Sequence, residues 1–323
     1  MKVLVAGGAG YVGSHTAKAL AAAGFDVLVF DDFSTGRREL VRGRQVIVGD
    51  LRNPGEVRDV FRTYKVTAVL HFASLIQVGE SYINPRRYYE HNLKTSLNLL
   101  GGMVEAGVKA FIFSSSAAVY GIPQEIPITE THPLEPISPY GQTKLIVERV
   151  LADYGRAYGL RSLSLRYFNA SGADPDAELG ELHDPETHLV PSILLSLLGR
   201  RPVLDVYGTD YPTPDGTAVR DYIHVTDLAE AHVLALKAVL DGRAAGAVNL
   251  GTNRGYSVLE VIRTAEQVTG RQVPYEAKSR REGDPAVLLA SCAKAERVLG
   301  WKPRLSELET IIRTAWEWHR RPA

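Results

Sequence analysis

Short apolar runs alternate with stretches of helical periodicity through residues 1–170. The apolar runs predict strands at 2–6, 26–30, 45–49, 68–72, 110–114 and 161–167. The stretches between them predict helices at 14–23, 54–64, 88–106 and 139–158. This alternation is typical of βαβ units, and continuously apolar strands indicate a sheet covered by helices on both faces. We therefore predict an α/β fold with a Rossmann-type, doubly wound parallel sheet.

The pattern becomes irregular after Asn169. Residues 172–191 are polar and contain two prolines, and residues 208–216 are rich in turn-forming residues. Later stretches predict helices at 192–198, 226–240, 257–269, 292–299 and 306–320, and a strand at 246–251. We expect one domain built from 1–170 together with 221–251. We expect a smaller C-terminal α/β domain built from 171–220 and 252–323.

The charge balance and the single cysteine exclude several classes of protein. Lysine and arginine number 37, aspartate and glutamate also number 37, and the isoelectric point is near 7.1, so no basic surface for nucleic acid is expected. No apolar run is long enough to span a membrane, and the first predicted strand begins at Lys2, so we expect no signal peptide. Cys292 is alone and suits a reducing compartment, although it could equally be a small buried hydrophobe. We expect a cytoplasmic protein with no nucleic-acid or membrane partner.

A glycine-rich turn at residues 7–13 lies between the first predicted strand and the first predicted helix. Glycines let the backbone approach a pyrophosphate closely, and the helix N-terminus presents N–H groups to it. Asp31 ends the next apolar run, 18 residues after Gly13, where a carboxylate can accept a hydrogen bond from a ribose 2′-hydroxyl. The turn therefore predicts a dinucleotide site, and Asp31 indicates NAD as the cofactor.

Tyr140 and Lys144 carry the second chemical signal. Ser138 and Pro139 are a plausible helix start, and Tyr140 and Lys144 then share one face of the helix. An ammonium and an oxidised nicotinamide nearby would favour the phenolate, which makes the tyrosine a general base. The same spacing also occurs on ordinary surface helices. Ser116 adds weight because it follows an apolar strand, and ligands bind at the carboxyl ends of such strands.

Together with further motifs, these residues resemble a known family. The turn 7–13, Asp31, Asp50-Leu51, Ser116 and the Tyr140–Lys144 pair resemble the extended short-chain dehydrogenase/reductase superfamily. Within it, the chain is similar to the UDP-glucose (UDP-galactose) 4-epimerases, over nearly its whole length. The motifs that carry this similarity are 71–73, 78–81, 114–121, 166–169, 210–217 and 219–225.

The resemblance implies roles for individual residues. It implies a catalytic trio of Ser116, Tyr140 and Lys144, and no metal ion. The implied NAD contacts are Gly7, Gly10, Tyr11, Val12, Gly13, Asp31, Phe33, Ser34, Asp50, Leu51, Phe72, Ala73, Ser74, Asn92, Ser114, Tyr140, Lys144, Tyr167 and Phe168. The implied UDP-sugar contacts are Ser116, Asn169, His188, Leu189, Tyr207, Arg220, Arg281, Asp284 and Leu288. The first domain would thus bind NAD, the second would bind the UDP-hexose, and two chains would form a homodimer.

Other interpretations of the substrate residues stay open. Arg220 and Arg281 have the planar charged groups that bind a diphosphate, but each could be a solvated surface charge. Tyr207 could stack on uracil or pack in the core, and Asp284 could bind a ribose or cap a turn. Leu288 occupies the position thought to gate the C2 substituent of the sugar, so N-acetylated sugars stay possible substrates.

The implied reaction is the interconversion of UDP-galactose and UDP-glucose through a 4-keto intermediate, with NAD bound throughout. Rival reactions are those of a UDP-N-acetylhexosamine 4-epimerase, a UDP-glucuronate decarboxylase or a 4,6-dehydratase. Ala117 and Ala118 stand where a dehydratase commonly has a glutamate, which argues against elimination. A non-enzymatic NAD-binding regulator is the remaining alternative, although such proteins often lack the tyrosine or the lysine.

Overall fold

The computed structural model describes residues 1–201, 203–281 and 283–321. The strands are β1 (Lys2–Ala6), β2 (Asp26–Asp31), β3 (Gln45–Val48), β4 (Val66–His71), β5 (Ala110–Ser116), β6 (Arg161–Tyr167), β7 (Asn169–Ser171), β8 (Leu204–Tyr207), β9 (Val219–Arg220), β10 (Tyr222–His224), β11 (Gly246–Leu250), β12 (Tyr256–Ser257), β13 (Tyr275–Lys278) and β14 (Val287–Leu288). The α-helices are α1 (Tyr11–Ala22), α2 (Pro54–Thr63), α3 (Val78–Ile83), α4 (Pro85–Tyr88), α5 (Lys94–Ala106), α6 (Pro139–Tyr158), α7 (Leu189–Leu197), α8 (Val225–Leu240), α9 (Val258–Thr269), α10 (Ala293–Leu299) and α11 (Leu308–His319). None of these helices is long and apolar enough to cross a membrane.

Seven parallel strands form the main sheet, in the order β11-β6-β5-β4-β1-β2-β3. Alternate residues of a strand point to opposite faces, and β1 shows this directly. Val3 and Val5 pack with residues of α1 and α8 on one face, whereas Leu4 packs with residues of α2, α5 and α6 on the other. The predicted Rossmann-type fold is confirmed.

The strand order reverses at β1, which lies between β4 and β2. A crevice opens at such a point because the connections leave the sheet in opposite directions, and ligands bind there. The glycine turn after β1 and the segment after β4 both reach this crevice. The sheet topology therefore brings two of the predicted cofactor segments together.

A second core lies outside the main sheet and joins α7, α9 and α11. Three small sheets flank it, namely β13-β8, β12-β9-β14 and β10-β7. The strands of these sheets are only two to four residues long. Too few residues alternate in them to give a periodic signal, and the sequence pattern missed all seven.

The helix predicted at 88–106 differs from the structure. The chain forms α4, then a π-helical turn at Tyr89–Leu93, and only then α5. Helix α1 begins at Tyr11, three residues earlier than predicted, because Gly10 is extended and starts the helix inside the glycine turn. The predicted strand at 246–251 is present as β11 and pairs with β6 in the main sheet.

Candidate active site

The glycine turn is a close-packed cradle that only glycine can form. Gly7 has a φ of +79°, and a Cβ built on it would lie 2.4 Å from the backbone nitrogen of Ala73. A Cβ on Gly13 would lie 2.3 Å from the carbonyl oxygen of Gly7, to which Gly10 donates its N–H at 3.3 Å. Gly10 is the N-cap residue of α1 and makes no side-chain hydrogen bond to the helix. The first turn of α1 therefore offers backbone N–H groups to an anion. This donor set fits a pyrophosphate.

Tyr11 and Val12 begin α1, and the side chain of Tyr11 points away from the turn. Its hydroxyl donates to the carbonyl oxygen of Gly172 at 2.5 Å, and its ring packs edge-on against His183. A contact of Tyr11 with the pyrophosphate would therefore come from its backbone.

Asp31 lies at the carboxyl end of β2 with both carboxylate oxygens held by the backbone. Oδ2 accepts from the N–H of Ala9 and Oδ1 from the N–H of Phe33, each at 2.9 Å. Each oxygen keeps a further lone pair for a ribose hydroxyl. Burial raises the pKa of Asp31, against the two N–H groups that lower it. A carboxylate fixed beside the glycine turn fits the ribose of NAD.

Two of the residues predicted for the adenine end, Ser34 and Asp50, line a cleft of about 1000 Å³, together with Leu75 and other residues. The Asp50 carboxylate pairs with Arg52 at 2.9 Å, and this hydrogen bond lowers the pKa of Asp50. Ser34 hydrogen-bonds Asp32 at 2.6 Å. Phe33 has a φ of +58°, and the guanidinium of Arg38 covers its ring at 4.3 Å. Leu51 packs instead into the apolar core on one face of the main sheet.

Tyr140 and Lys144 are buried side by side at the start of α6, which the Ser138 hydroxyl caps by accepting from the N–H of Gly141 at 3.1 Å. The Lys144 ammonium donates to the carbonyl oxygen of Ser114 at 2.8 Å and to the Ser74 hydroxyl at 2.9 Å. It lies 5.7 Å from the centre of the Tyr140 ring. Burial lowers the pKa of Lys144 to about 7, although Glu148 acts in the opposite direction.

The expected lowering of the tyrosine pKa is absent from the protein alone. Burial raises the pKa of Tyr140, and a hydrogen bond with Ser116 only partly opposes this. The Lys144 ammonium is directed at Ser74 and Ser114, so the lysine does not offset the burial of the phenol. An oxidised nicotinamide bound nearby would add a positive charge that favours the phenolate.

The residues predicted to contact the nicotinamide form a wall at the carboxyl ends of β4, β5 and β6. The Phe72 ring lies 4.9 Å from the ring of the buried His232, and Tyr167 lies 6.0 Å from the same histidine. The hydroxyls of Tyr167 and Ser114 are hydrogen-bonded to each other. Phe168 turns instead to a separate apolar cluster that also contacts Leu288.

Asn92 is buried, and its amide is fully engaged with protein groups. It accepts from the N–H of Leu75 at 2.8 Å, and it donates to the carbonyl oxygen of Leu75 and to Thr143, both at 3.1 Å. Asn92 therefore holds the loop after β4 against α6. In this structure it positions the cofactor loop that contains Ala73 and Ser74.

Two of the predicted UDP-sugar residues, Arg220 and Leu288, lie on the paired strands β9 and β14. Arg220 forms an ion pair with Asp284, and its register partner across the two strands is Leu288. The guanidinium of Arg281 lies 4.0 Å above the ring of Tyr207. The Asn169 amide donates to the carbonyl oxygen of Asp221 at 3.0 Å, at the edge of the same region.

His188 and Leu189 lie at the beginning of α7. The His188 backbone N–H donates to Glu186 at 2.9 Å, and its ring hydrogen-bonds the buried carboxylate of Glu181. Burial lowers the pKa of His188, but Glu181 outweighs burial and the pKa rises to about 9.

A buried network behind the catalytic residues was missed in the sequence. Glu148 accepts from Ser115 at 2.6 Å and from Arg166 Nε at 2.9 Å, and it lies one helical turn after Lys144. Ser115 stands between Ser114 and Ser116 on β5, so the network fixes the strand that carries both. Arg166, near the end of the predicted strand at 161–167, was the available signal, because an arginine buried in a central strand requires an acidic partner.

The chain resembles proteins of known activity over nearly its full length. The model of the NAD dependent epimerase/dehydratase family matches residues 3–251. The UDP-glucose 4-epimerase of Rhizobium leguminosarum bv. trifolii is 51% identical over 317 residues, which cover 98% of this chain and 97% of that protein.

Two solved structures share the fold. The UDP-glucose 4-epimerase from Brucella ovis in complex with NAD superposes with a TM-score of 0.95 at 50% identity, covering 98% of this chain and 97% of that one. The enzyme from Bifidobacterium longum in complex with NAD⁺ and UDP gives a TM-score of 0.93 at 40% identity, covering 99% and 98%.

Proposed function

The chain belongs to the NAD dependent epimerase/dehydratase family and has UDP-glucose 4-epimerase activity with NAD, and we propose that Tyr140, Lys144 and Ser116 carry the reaction. The observation that carries the proposal is the burial of Tyr140 and Lys144 together at the crevice where the glycine turn and the loop after β4 meet. The glycine cradle and Asp31 hold the cofactor. When bound, NAD takes the hydride from C4 of the sugar and returns it to the opposite face.

Tyr140 acts as the general base for the 4-hydroxyl. Its phenolate takes the proton as C4 is oxidised, and its phenol returns a proton when the 4-keto sugar is reduced. Ser116 already hydrogen-bonds Tyr140, so it can share the reacting oxygen and relay the proton. Lys144 has three N–H donors and uses two of them on Ser114 and Ser74. The third would donate to a ribose hydroxyl of the cofactor.

The UDP part of the substrate stays fixed while the sugar turns. Arg220 and Arg281 provide two guanidinium groups for the diphosphate, and such groups bind phosphate oxygens in a bidentate manner. Tyr207 presents a flat ring to uracil, and Asp284 can exchange its ion pair with Arg220 for a ribose hydroxyl. Tight binding of this remote group holds the intermediate while the sugar ring exposes its other face.

Three further proposals concern the domain boundaries, the oligomeric state and the cellular location. We propose that residues 1–170 and 221–251 form the NAD-binding domain, supported by the pairing of β11 with β6, and that 171–220 and 252–323 bind the UDP-sugar. We propose a homodimer through α5 and α6, supported by the exposed Leu97 and Tyr158. We propose a cytoplasmic location, supported by the presence of a single cysteine.

The deciding experiment is incubation of the purified protein with UDP-galactose without added NAD. Formation of UDP-glucose supports an epimerase with resident cofactor. A 4-keto-6-deoxy product would show a dehydratase. In a second incubation with UDP-glucuronate, loss of carbon dioxide would show a decarboxylase. Lack of turnover with cofactor present would indicate a non-enzymatic NAD-binding protein. UDP-N-acetylgalactosamine, supplied in parallel, tests the N-acetylated substrates.

A further inference from the structure

Four metal-ligand side chains converge in the polar segment that precedes α7. Glu181, His183, Glu186 and His188 each present one ligand atom, and these four atoms all lie within 4.8 Å of one another. Both histidines direct Nδ1 at the same oxygen, Oε1 of Glu181, His183 from 2.9 Å. Glu186 Oε1 lies 4.0 Å from Nδ1 of His183. The proposed epimerase chemistry does not require this convergence.

The ligand set and its spacing match one class of cation. Two imidazoles and two carboxylates are donors that Zn²⁺ accepts, whereas Ca²⁺ and Mg²⁺ prefer oxygen alone. In a tetrahedral site with bonds of about 2.0–2.1 Å, ligand atoms are about 3.4 Å apart. Some distances between ligand atoms in this cluster are shorter than about 3.4 Å and others are longer. Small rotations of the side chains would therefore bring all four atoms to the separation of a tetrahedral site. We propose that Glu181, His183, Glu186 and His188 form a four-coordinate zinc site.

The surroundings of the cluster suit a closed structural site. Glu181 is buried, and the indole N–H of Trp318 donates to its backbone carbonyl at 3.2 Å. The N–H groups of Thr187 and His188 donate to the Glu186 carboxylate at 2.8 and 2.9 Å and so fix its orientation. Groups that hydrogen-bond metal ligands have the same effect in known metal sites. Zinc binding displaces the protons of its ligands, and two carboxylates with two neutral imidazoles then carry a charge of −2, which Zn²⁺ neutralises.

The position of the site links the two ligand-binding regions. The His183 ring packs edge-on against Tyr11, the first residue of α1 in the cofactor turn. His188 immediately precedes α7. If its Nδ1 binds the metal, its Nε2–H can donate to a substrate phosphate. A zinc ion here would fix the segment between the cofactor turn and α7. The site departs from the sequence-based expectation of no metal ion.

Zinc binding by the intact, NAD-containing protein without an affinity tag tests this proposal. The protein is treated with chelator, titrated with Zn²⁺ and passed through gel filtration before its metal content is measured. One zinc ion per chain supports the site, and less than stoichiometric retention overturns it. Titration of the wild-type protein with Co²⁺ reports the coordination number directly, because a four-coordinate cobalt ion absorbs visible light strongly. A weak, six-coordinate spectrum overturns the proposal.

Three variants assign the ligands. His183→Ala and Glu181→Gln should each weaken zinc binding by about 100-fold or more, since they remove ligands rather than outer-shell groups. His319→Gln is the matched control, because His319 is a buried histidine close enough to Glu181 to be affected by its charge but contributes no ligand atom. Zinc affinity equal in His183→Ala and His319→Gln would overturn the assignment even if zinc binds. Because misfolding alone would also abolish binding, each variant is compared by circular dichroism and NAD content.

Discussion

Arg220 and Leu288 are register partners on the parallel strands β9 and β14, so a cation expected at the diphosphate lies beside the residue expected to gate the sugar. The N–H of Asp221 donates to the carbonyl oxygen of Leu288 at 3.0 Å, which fixes the two strands in this register. Leu288 also contacts the apolar cluster that includes Tyr120 and Leu145. The proposed anchor of the nucleotide and the proposed gate of the sugar pocket thus lie on the same pair of short strands.

Changing the size of residue 288 should change the choice of sugar. Leu288→Ala should increase kcat/KM for UDP-N-acetylgalactosamine relative to UDP-galactose, and Leu288→Tyr should decrease it, because the side chain sets the space for the C2 substituent. Differences of this kind in an apolar pocket are roughly 10–200-fold. The measurement is kcat/KM for both substrates with each variant. Equal ratios in all three proteins would show that residue 288 does not face the sugar.

Removing the Arg220 guanidinium should weaken substrate binding. Hydrogen bonds to charged groups contribute about 1.5–3 kcal/mol, so Arg220→Met should raise KM by roughly 10–100-fold. The variant also leaves Asp284 without its ion-pair partner, so Arg220→Met/Asp284→Asn separates the loss of the clamp from an unpaired carboxylate. Arg254→Met is the control, because Arg254 is exposed and pairs with Glu307. A KM unchanged in both Arg220 variants would remove this residue from the substrate site.

The predicted cofactor half of the site rests on local patterns in the sequence, whereas the predicted substrate half rests on resemblance. The glycine turn, Asp31 and the Tyr140–Lys144 pair lie within or beside single elements, where spacing alone relates the residues. Arg220, Asp284 and Leu288 are brought together by strands of two residues each, which leave no periodic pattern. The burial that raises the pKa of Tyr140 and the hold of Asn92 on Leu75 depend on contacts between distant segments. The roles suggested for Asn92, Asp284 and Leu288 therefore came only from resemblance.

The buried histidine behind the nicotinamide wall should make the protein sensitive to mild acid. Burial lowers the pKa of His232 to about 4, whereas an unfolded histidine titrates near ~6.5. The unfolded state alone takes up this proton between those values, so stability falls as the pH drops from about 6.5 to 4. His232→Gln should reduce that slope by at most about 1.4 kcal/mol per pH unit.

Urea unfolding of the wild-type protein and His232→Gln at several pH values between 4.5 and 7.5 provides the measurement. Above pH 7 the difference in stability between the two proteins should be constant, because His232 is then neutral in both states. Parallel pH profiles down to pH 4.5 would contradict the assignment of a buried, neutral histidine.

The proposed dimer predicts a specific effect at Leu97. This side chain on α5 is 45% exposed, and Leu97→Arg would place a charge in an apolar helix–helix interface. Sedimentation equilibrium should then give a dimer for the wild-type protein and a monomer for the variant. Tyr275→Arg is the control, because Tyr275 is exposed to a similar degree, at 46%, on β13. A monomeric wild-type protein, or a dimeric Leu97→Arg variant, would show that this face is not the interface.

Removal of the Tyr140 hydroxyl tests the central step of the mechanism. Tyr140→Phe keeps the buried ring but deletes the general base, and such bases contribute about 10²–10⁴-fold to the rate, so kcat should fall by that factor. NAD content and thermal stability should stay close to the wild-type values, because the ring packing with Leu75 and Tyr88 is retained. Tyr154→Phe on the same helix is the control and should have wild-type kcat. If Tyr140→Phe keeps full activity while NAD stays bound, another group takes the proton from the 4-hydroxyl, and Lys144, whose ammonium already lies at the same crevice, becomes the first residue to substitute.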